Sequence, residues 1–370
     1  TIHMNHFAKN KSLPIGVSDF KLATTGYYYV DKTLMIRDFL DKKPMVSLFT
    51  RPRRFGKTLN MDMLRVFFEK TNEDTSVYFK DKQIWQCGDY YTKHQGQYPV
   101  IFLSMKSVEG DCYENAYREL TSLINREASR FQFLMESEKL TAYDKSIYMR
   151  LLDSEMSTQD LTSSLMRISI LLEKHYQKKV IVLIDEYDVP LDKAYQHGYY
   201  DKMIVTLRLL LGNLLKTNSS LEFAVLTGCM RISKESIFTG LNNFEVRTIS
   251  DITYDEYFGL TDSEVKTMLQ YYRLEEAYEE AKHWYDGYLF GNTFVYCPWS
   301  MIRYVKDKKE DSSIEPIDYW ANSSGNSIIS EFLNNYGDSV SDDFEKLLNG
   351  ESLFREIYEN LTYGEVMTSR

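Results

Sequence analysis

The sequence predicts an α/β fold in which a parallel sheet is flanked by helices and is followed by a mostly helical, winged-helix-like C-terminal region. Three observations support this prediction. Short apolar runs of strand length alternate with longer amphipathic segments through the first part of the chain. One of these runs leads into a cluster of basic residues, and another ends in acidic residues. After about residue 250 the strand-like runs give way to short helical segments and a hairpin pattern.

The composition is that of a globular protein, because the 370 residues are 43% hydrophobic and 26% charged. This length predicts two domains, or one large domain with an appendage. The formal net charge is −10, so the chain as a whole lacks the excess of positive charge that is typical of nucleic-acid-binding proteins. A local basic surface remains an alternative. No apolar run reaches the length of a membrane span, so we expect no membrane association. Four widely separated cysteines predict free thiols in a reducing compartment, the cytoplasm: Cys87, Cys112, Cys229 and Cys297.

The basic cluster lies between an apolar run at 46–49 and an amphipathic segment that extends to residue 68. A strand, a turn and a helix therefore follow one another, and the free amides and positive dipole end of such a helix bind an anion. We expect the ammonium group of Lys57 to reach the β- and γ-phosphates of a nucleotide, and the hydroxyl group of Thr58 to bind Mg²⁺. The predicted phosphate-binding residues are Arg53, Arg54, Phe55, Gly56, Lys57, Thr58 and Leu59.

The loop departs from the G-x-x-x-x-G-K-[ST] pattern at its first position, where Arg51 replaces glycine. Glycine allows unusual backbone angles, so Arg51 and Pro52 predict ordinary angles in the first half of the loop. Three arginines, at positions 51, 53 and 54, add planar donors that suit phosphate. The alternative is a basic turn in which the sequence Gly-Lys-Thr occurs by chance.

The apolar run at 180–184 is rich in β-branched residues, as in a strand that is buried on both faces of a parallel sheet. It is followed by Asp185 and Glu186, and open α/β sheets bind ligands at the carboxyl ends of their strands. We expect Asp185 to bind Mg²⁺, directly or through water, and Glu186 to polarise the attacking water. The alternative is a strand that ends in a solvated acidic turn. The Gly-Lys-Thr loop earlier in the chain favours the metal site.

A further apolar run, at 221–227, ends in Thr227 and is soon followed by Arg231. A hydroxyl group at the end of the strand beside the acidic one could detect the γ-phosphate, and Arg231 could clamp that phosphate. Each residue also has a structural alternative. The Thr227 hydroxyl group would then satisfy local backbone groups, and Arg231 would form a surface ion pair.

The N-terminal segment, residues 1–43, is predicted to pack on the core. It contains a short helix capped by Ser18 or Asp19 and a second helix at 32–41. Residues 27–32 lie either near the base of a nucleotide or in simple packing contacts.

The α/β core is predicted at residues 44–250, and the C-terminal region at 251–370. Further predicted elements of the core are a strand at 99–105 and helices at 113–138, 158–176 and 199–216. In the C-terminal region the predictions are helices at 262–272, 275–285, 298–305, 319–335 and 342–348 and a hairpin at 287–296. We expect the chain to be truncated before a further domain, because its last residues form no polar tail and no other pattern typical of the end of a domain.

Several motifs together carry a resemblance to a known family: LPIG at 13–16, YVDKT at 29–33, RPRRFGKT at 51–58, IDEYDVP at 184–190, TG at 227–228, WYDGY at 284–288 and YWANSSG at 319–325. The chain resembles the predicted AAA-ATPase-like family of bacterial P-loop proteins over nearly its whole length. The RPRRFGKT and IDEYDVP motifs are specific to that family, so the resemblance implies that arginine at the first loop position is a family trait.

The resemblance also implies a catalytic glutamate after the magnesium-binding aspartate, here Glu186 after Asp185, and further strands between the loop strand and its neighbours. Members of the family commonly continue into a PD-(D/E)XK nuclease-like domain. The active-site pattern of that domain is missing from this sequence.

Three functions stay open. The first is an ATPase with ATP and Mg²⁺ as cofactors, in which Lys57, Glu186 and Arg231 are catalytic and Arg53, Arg54 or Arg231 neutralises charge in the transition state. The second is a nucleotide-gated interaction module with little turnover, which binds a protein partner or a second copy through the C-terminal region. The third is the ATPase part of a nucleic-acid-processing or defence protein, which rests on family analogy alone. No base-reading motif distinguishes ATP from GTP.

Overall fold

The computed structural model describes residues 10–230, 237–238, 240–321, 342–343 and 345–354. Its largest sheet has five parallel strands in the order β2-β3-β4-β1-β5. The strands are Val46–Thr50 (β1), Val100–Ser104 (β2), Val180–Asp185 (β3), Leu221–Gly228 (β4) and Phe244–Arg247 (β5). Strands β1 to β4 confirm the four predicted runs, whereas β5 is not among the sequence predictions. Strand β4 separates β1, which leads into the basic loop, from β3, which ends in the acidic residues.

Helices cover both faces of this sheet. They are Phe20–Gly26 (α1), Leu34–Lys42 (α2), Lys57–Phe68 (α3), Gln83–Gln86 (α4), Asp89–Thr92 (α5), Tyr113–Ser129 (α6), Ala142–Arg150 (α7), Thr158–Tyr176 (α8), Val189–Gln196 (α9) and Tyr200–Leu215 (α10). Helices α8 and α10 confirm the predictions at 158–176 and 199–216. The helix predicted at 113–138 is too long, because α6 ends at Ser129 and a 3-10 helix at Gln132–Glu136 follows. Of the two predicted caps of α1, Asp19 is the one observed, and it accepts a hydrogen bond from the Leu22 amide.

The strands place alternate residues on opposite faces of the sheet. In β3, Val182 and Ile184 join a core with α6, α8 and α10, whereas Ile181 and Leu183 join a second core with α1, α2 and α3. All six residues of β3 are buried. Burial on both faces explains why the sequence of β3 is apolar without alternation.

The C-terminal part contains an antiparallel sheet with the order β6-β8-β7, together with helices. Its elements are Leu260–Thr261 (β6), Asp262–Tyr271 (α11), Tyr278–Tyr285 (α12), Asp286–Phe290 (β7), Thr293–Tyr296 (β8) and Pro298–Glu310 (α13). Strands β7 and β8 confirm the predicted hairpin. Tyr254, Phe258 and Phe290 lie in the same core as α3, so the C-terminal part packs directly behind the loop helix.

The N-terminal segment also contacts the C-terminal part. The ammonium group of the buried Lys32 lies 2.7 Å from a carboxylate oxygen of Glu264 and donates to the backbone carbonyl of Glu256 at 2.7 Å. Tyr257 of the C-terminal part donates its hydroxyl to the Asp38 carboxylate at 2.6 Å. The segment therefore connects the large sheet to the C-terminal elements.

Three predictions lie wholly or partly outside the described residues. Arg231 is not described. Of the helix predicted at 319–335, only residues 319–321 are described, and they form a turn. Of the helix predicted at 342–348, residues 342–343 and 345–348 are helical and residue 344 is not described. Across the described ranges, none of the helices combines the length and the apolar character that a bilayer crossing requires.

Candidate functional site

The basic loop connects β1 to α3 at the carboxyl edge of the sheet. Two of its residues have left-handed backbone angles, Arg54 with φ 71° and Gly56 with φ 83°. Arg51 and Pro52 have ordinary angles, as their residue types predict. Helix α3 begins directly after Gly56, so its first amides have no partner within the helix and are available to an anion.

Thr58, in the first turn of α3, contacts the end of β3. Its hydroxyl group donates to one carboxylate oxygen of Asp185 at 2.6 Å. The hydroxyl group of Thr227, at the end of β4, donates to the other carboxylate oxygen at 2.5 Å. Asp185 and Thr227 are almost completely buried. The structure thus brings the two predicted metal ligands and the predicted phosphate-sensing hydroxyl group into one cluster, although Thr58 and Asp185 are 127 positions apart in the chain.

Lys57 is 6% exposed, and its ammonium group lies inside the loop. It donates to the backbone carbonyl groups of Arg51 at 2.9 Å and Pro52 at 2.8 Å, and it lies 3.7 Å from the Cys229 sulfur. Carbonyl dipoles therefore stabilise the charge in the arrangement observed. These carbonyl groups use two of the three donors of the ammonium group, so the third is available to an anion that binds in the loop.

Glu186 follows β3 and has a left-handed backbone with φ 53°. This conformation is costly for a residue with a side chain, and such outliers concentrate at functional sites. Burial raises the pKa of the Glu186 carboxyl group, and the neighbouring Asp185 charge raises it further, whereas Lys57 and Lys106 act in the opposite direction. A carboxyl group with a raised pKa is a better proton acceptor near neutral pH than an ordinary surface carboxyl group.

Two residues beside the cluster received no role in the sequence predictions. The carboxylate of Asp188 accepts the amides of Cys229 and Met230 at 2.9 and 3.0 Å, and burial raises its pKa. A Cβ atom on Gly228 would lie 2.6 Å from the Tyr187 ring. Only glycine therefore lets the end of β4 approach the turn after β3 this closely. The signal in the sequence was a second aspartate three residues after Asp185, which is also typical of an ordinary turn.

The other predicted phosphate-binding side chains have different surroundings. Phe55 is fully buried against Tyr288 at 4.9 Å and Phe290 at 5.2 Å, measured between ring centroids. Leu59 packs at the edge of the core that contains α3. In these two residues only the backbone amide, and not the side chain, is suited to a phosphate contact.

The three loop arginines point in three directions. Arg53 lies 4.0 Å from the Asp192 carboxylate of α9, and the Arg54 guanidinium stacks on Trp299 of α13 at 4.0 Å. Arg51 is fully buried, and its guanidinium donates to the carbonyl groups of Thr50 and Arg247. The expectation that all three offer donors to phosphate is therefore wrong for Arg51, because its guanidinium is buried between the end of β5 and the rings of Phe258 and Phe290.

The described residues fit a magnesium-bound triphosphate. One hydroxyl group and one carboxylate are the oxygen ligands that Mg²⁺ takes from proteins when phosphate oxygens and waters supply the rest. The buried amine of Lys57 and the first amides of α3 supply positive charge next to these ligands.

A parallel sheet with a Gly-Lys-Thr loop after one strand and a carboxylate at the end of another is the arrangement of the P-loop class of nucleotide-binding proteins. Within this class the chain belongs to the AAA-ATPase-like family, described as predicted AAA-ATPases, whose family model matches residues 14–238. The chain is also 28% identical over 298 residues to an uncharacterized protein in the vnfD 5′ region of Azotobacter chroococcum mcd 1. That match covers 79% of this chain and 51% of the relative, so the chain spans about half the relative's length.

Proposed function

We propose that this chain binds ATP with Mg²⁺ at the carboxyl edge of its parallel sheet and hydrolyses it. The observation that carries the proposal is the hydrogen bond of 2.6 Å between the Thr58 hydroxyl group and the Asp185 carboxylate. Lys57, which precedes Thr58 in the chain, is buried and contributes an amine. A hydroxyl group, a carboxylate and an amine meet at the start of a helix, where the backbone itself favours an anion.

Each residue of this cluster has a distinct role in the proposal. Lys57 and the amides from Gly56 to Leu59 bind the phosphates. Thr58 and Asp185 hold the metal ion, which when bound neutralises phosphate charge. Thr227 holds the second oxygen of Asp185 and so fixes the orientation of the carboxylate.

Glu186 is the proposed general base. Its pKa is raised by burial, so the ionised carboxylate accepts a proton from water more readily than an exposed glutamate. Arg53 and Arg54 of the loop, or Arg231, would compensate the charge that develops on the phosphate.

A second function is favoured by the contacts of the loop with the C-terminal part. Arg51 lies against Phe258 and Phe290, Phe55 packs on the hairpin, and Arg54 stacks on Trp299. A change in the loop on nucleotide binding is therefore transmitted directly to the C-terminal elements. Under this hypothesis the chain is a nucleotide-gated module, and a protein partner or a second copy of the chain binds the C-terminal region.

The finer assignments are part of the same proposal. We place the boundary between the ATPase core and a winged-helix-like C-terminal domain near residue 250. The four cysteines are free, which agrees with the cytoplasm as the compartment. A role in nucleic-acid processing rests on family analogy, and stimulation of ATP hydrolysis by DNA or RNA would be the test of it.

Titration calorimetry with ATP, ADP and GTP, each with Mg²⁺ and with EDTA, tests the proposal. We expect saturable binding that Lys57→Ala abolishes, because this variant removes the buried amine. Lys80→Ala, at an exposed site away from the loop, is the matched control and is expected to bind like the wild type. Wild-type protein that binds none of these nucleotides would contradict the proposal. Single-turnover hydrolysis with Mg²⁺ then separates an ATPase from a module that retains its nucleotide.

A further inference from the structure

Arg51 is the largest side chain at the start of the phosphate-binding loop, and it is completely buried. Its guanidinium donates to the Thr50 carbonyl at 2.9 Å and to the Arg247 carbonyl, at the end of β5, at 2.8 Å. The same guanidinium lies 5.1 Å from the ring centroid of Phe258 and 5.3 Å from that of Phe290. One side chain therefore attaches the loop to the edge strand of the large sheet and to the C-terminal part.

This burial is unfavourable for the guanidinium itself. Its Nε and Nη2 atoms are buried and form no hydrogen bond with any described residue. Burial lowers the pKa of Arg51 to about 10, and the Asp251 and Asp255 charges oppose that shift only in part. Buried donors without partners cost stability, and an apolar side chain of similar volume is often at least as stable in such a place. Stability alone therefore does not account for arginine at this position.

The backbone of Arg51 links its side chain to the phosphate-binding lysine. Its carbonyl group accepts the Lys57 amine at 2.9 Å, and its amide donates to the Gly228 carbonyl at 3.1 Å. Pro52, the next residue, provides the second carbonyl group that accepts Lys57. The position of the amine thus depends on where the first two loop residues are held.

We propose that Arg51 is a positioning residue for Lys57. Its guanidinium fixes the start of the loop between β5 and the Phe258–Phe290 pair, and the two loop carbonyl groups then hold the lysine amine at the phosphate site. This inference rests on the proposed nucleotide binding. It adds that arginine replaces the usual glycine here because the first loop position is fixed by a side-chain anchor.

The experiment compares Arg51→Met, Arg51→Lys and wild-type protein by calorimetric titration with ATP, once with Mg²⁺ and once with EDTA. We expect Arg51→Met to bind ATP about tenfold more weakly or worse, since the hydrogen bonds lost are made by a charged group. Arg51→Lys retains a cation that reaches one carbonyl group, and we expect an intermediate affinity. Arg247→Met is the matched control, because the backbone carbonyl of residue 247 that Arg51 uses is kept.

The dependence on Mg²⁺ distinguishes positioning of Lys57 from damage to the proposed metal ligands, Thr58 and Asp185. Because Lys57 contacts phosphate and not the metal, Arg51→Met should weaken ATP binding by the same factor with Mg²⁺ and with EDTA. Its melting temperature should stay close to that of the wild type, as expected when an unsatisfied buried charge is replaced. A loss confined to the Mg²⁺ titration would overturn the inference.

The possible outcomes separate this inference from the proposed function. Wild-type protein without nucleotide affinity overturns both. Wild-type binding together with unchanged binding by Arg51→Met overturns only the inference. If Arg51→Met does not fold, Arg51→Lys decides, and wild-type affinity in that variant likewise overturns the positioning role.

Discussion

Replacing Glu186 with glutamine tests the chemical part of the proposal. The change keeps the size of the side chain and removes its ability to accept a proton. Loss of a positioned general base costs about 100-fold or more in turnover, which corresponds to about 2.7 kcal/mol of activation free energy. Binding of ATP depends on Lys57 and Thr58 and should change by less than about threefold. Glu186→Gln is therefore expected to retain ATP that the wild type hydrolyses.

The pH dependence of turnover follows from the raised pKa of Glu186. Protonation removes the base, so the rate falls as the pH decreases through the raised pKa, at a higher pH than for an ordinary glutamate of about 4.3. The same shift affects stability. A carboxyl group whose pKa is raised on folding contributes stability below its unfolded pKa, and this contribution is lost as the pH rises through the folded pKa. Glu186→Gln should therefore be more stable than the wild type at neutral pH and lose that advantage in acid.

The assay is phosphate release in single turnover, run beside calorimetric binding and thermal unfolding at several pH values. Glu138→Gln, at an exposed position away from the site, is the matched control and should behave as the wild type. Hydrolysis by Glu186→Gln at the wild-type rate would refute the role assigned to Glu186. If the rate of phosphate release by this variant still falls at low pH, another titrating group causes that fall.

Two further predictions concern the geometry of the site. Thr58→Ala removes the hydroxyl group that contacts Asp185, so ATP binding should weaken in Mg²⁺ and stay unchanged in EDTA; an equal loss in both titrations would argue against a metal ligand. Gly228→Ala places a Cβ atom 2.6 Å from the Tyr187 ring and should lower the free energy of unfolding by about 1–3 kcal/mol in urea denaturation. Wild-type stability in Gly228→Ala would show that the end of β4 is not packed as described.

The sequence predicts the central strands and the composition of the site because these depend on local signals. An apolar run without alternation identifies β3, and the polar residues after the strand ends predict Lys57, Thr58, Asp185 and Glu186 as neighbours of one ligand. The parallel sheet then brings these residues to one edge. This inference needs no knowledge of the strand order, because every parallel strand ends at the same edge.

The parts that the sequence does not predict depend on tertiary contacts. Strand β5 has four residues, which are exposed or half-buried, and it joins the sheet through its pairing with β1. Helix α7 begins with a capping box formed by Thr141 and Asp144, but it is short and only weakly amphipathic. The direction of the Arg51 side chain is set by Phe258 and Phe290, more than 200 positions away, so its residue type alone suggests a phosphate ligand instead.

The most direct test of the site is a crystal structure with a non-hydrolysable ATP analogue and Mn²⁺, in which anomalous scattering locates the metal ion. We predict the ion in direct contact with the Thr58 hydroxyl oxygen, with Asp185 bound to it directly or through one water and the Lys57 amine at the β- and γ-phosphates. A nucleotide bound elsewhere, or a metal ion with no contact to Thr58 and Asp185, would contradict this prediction.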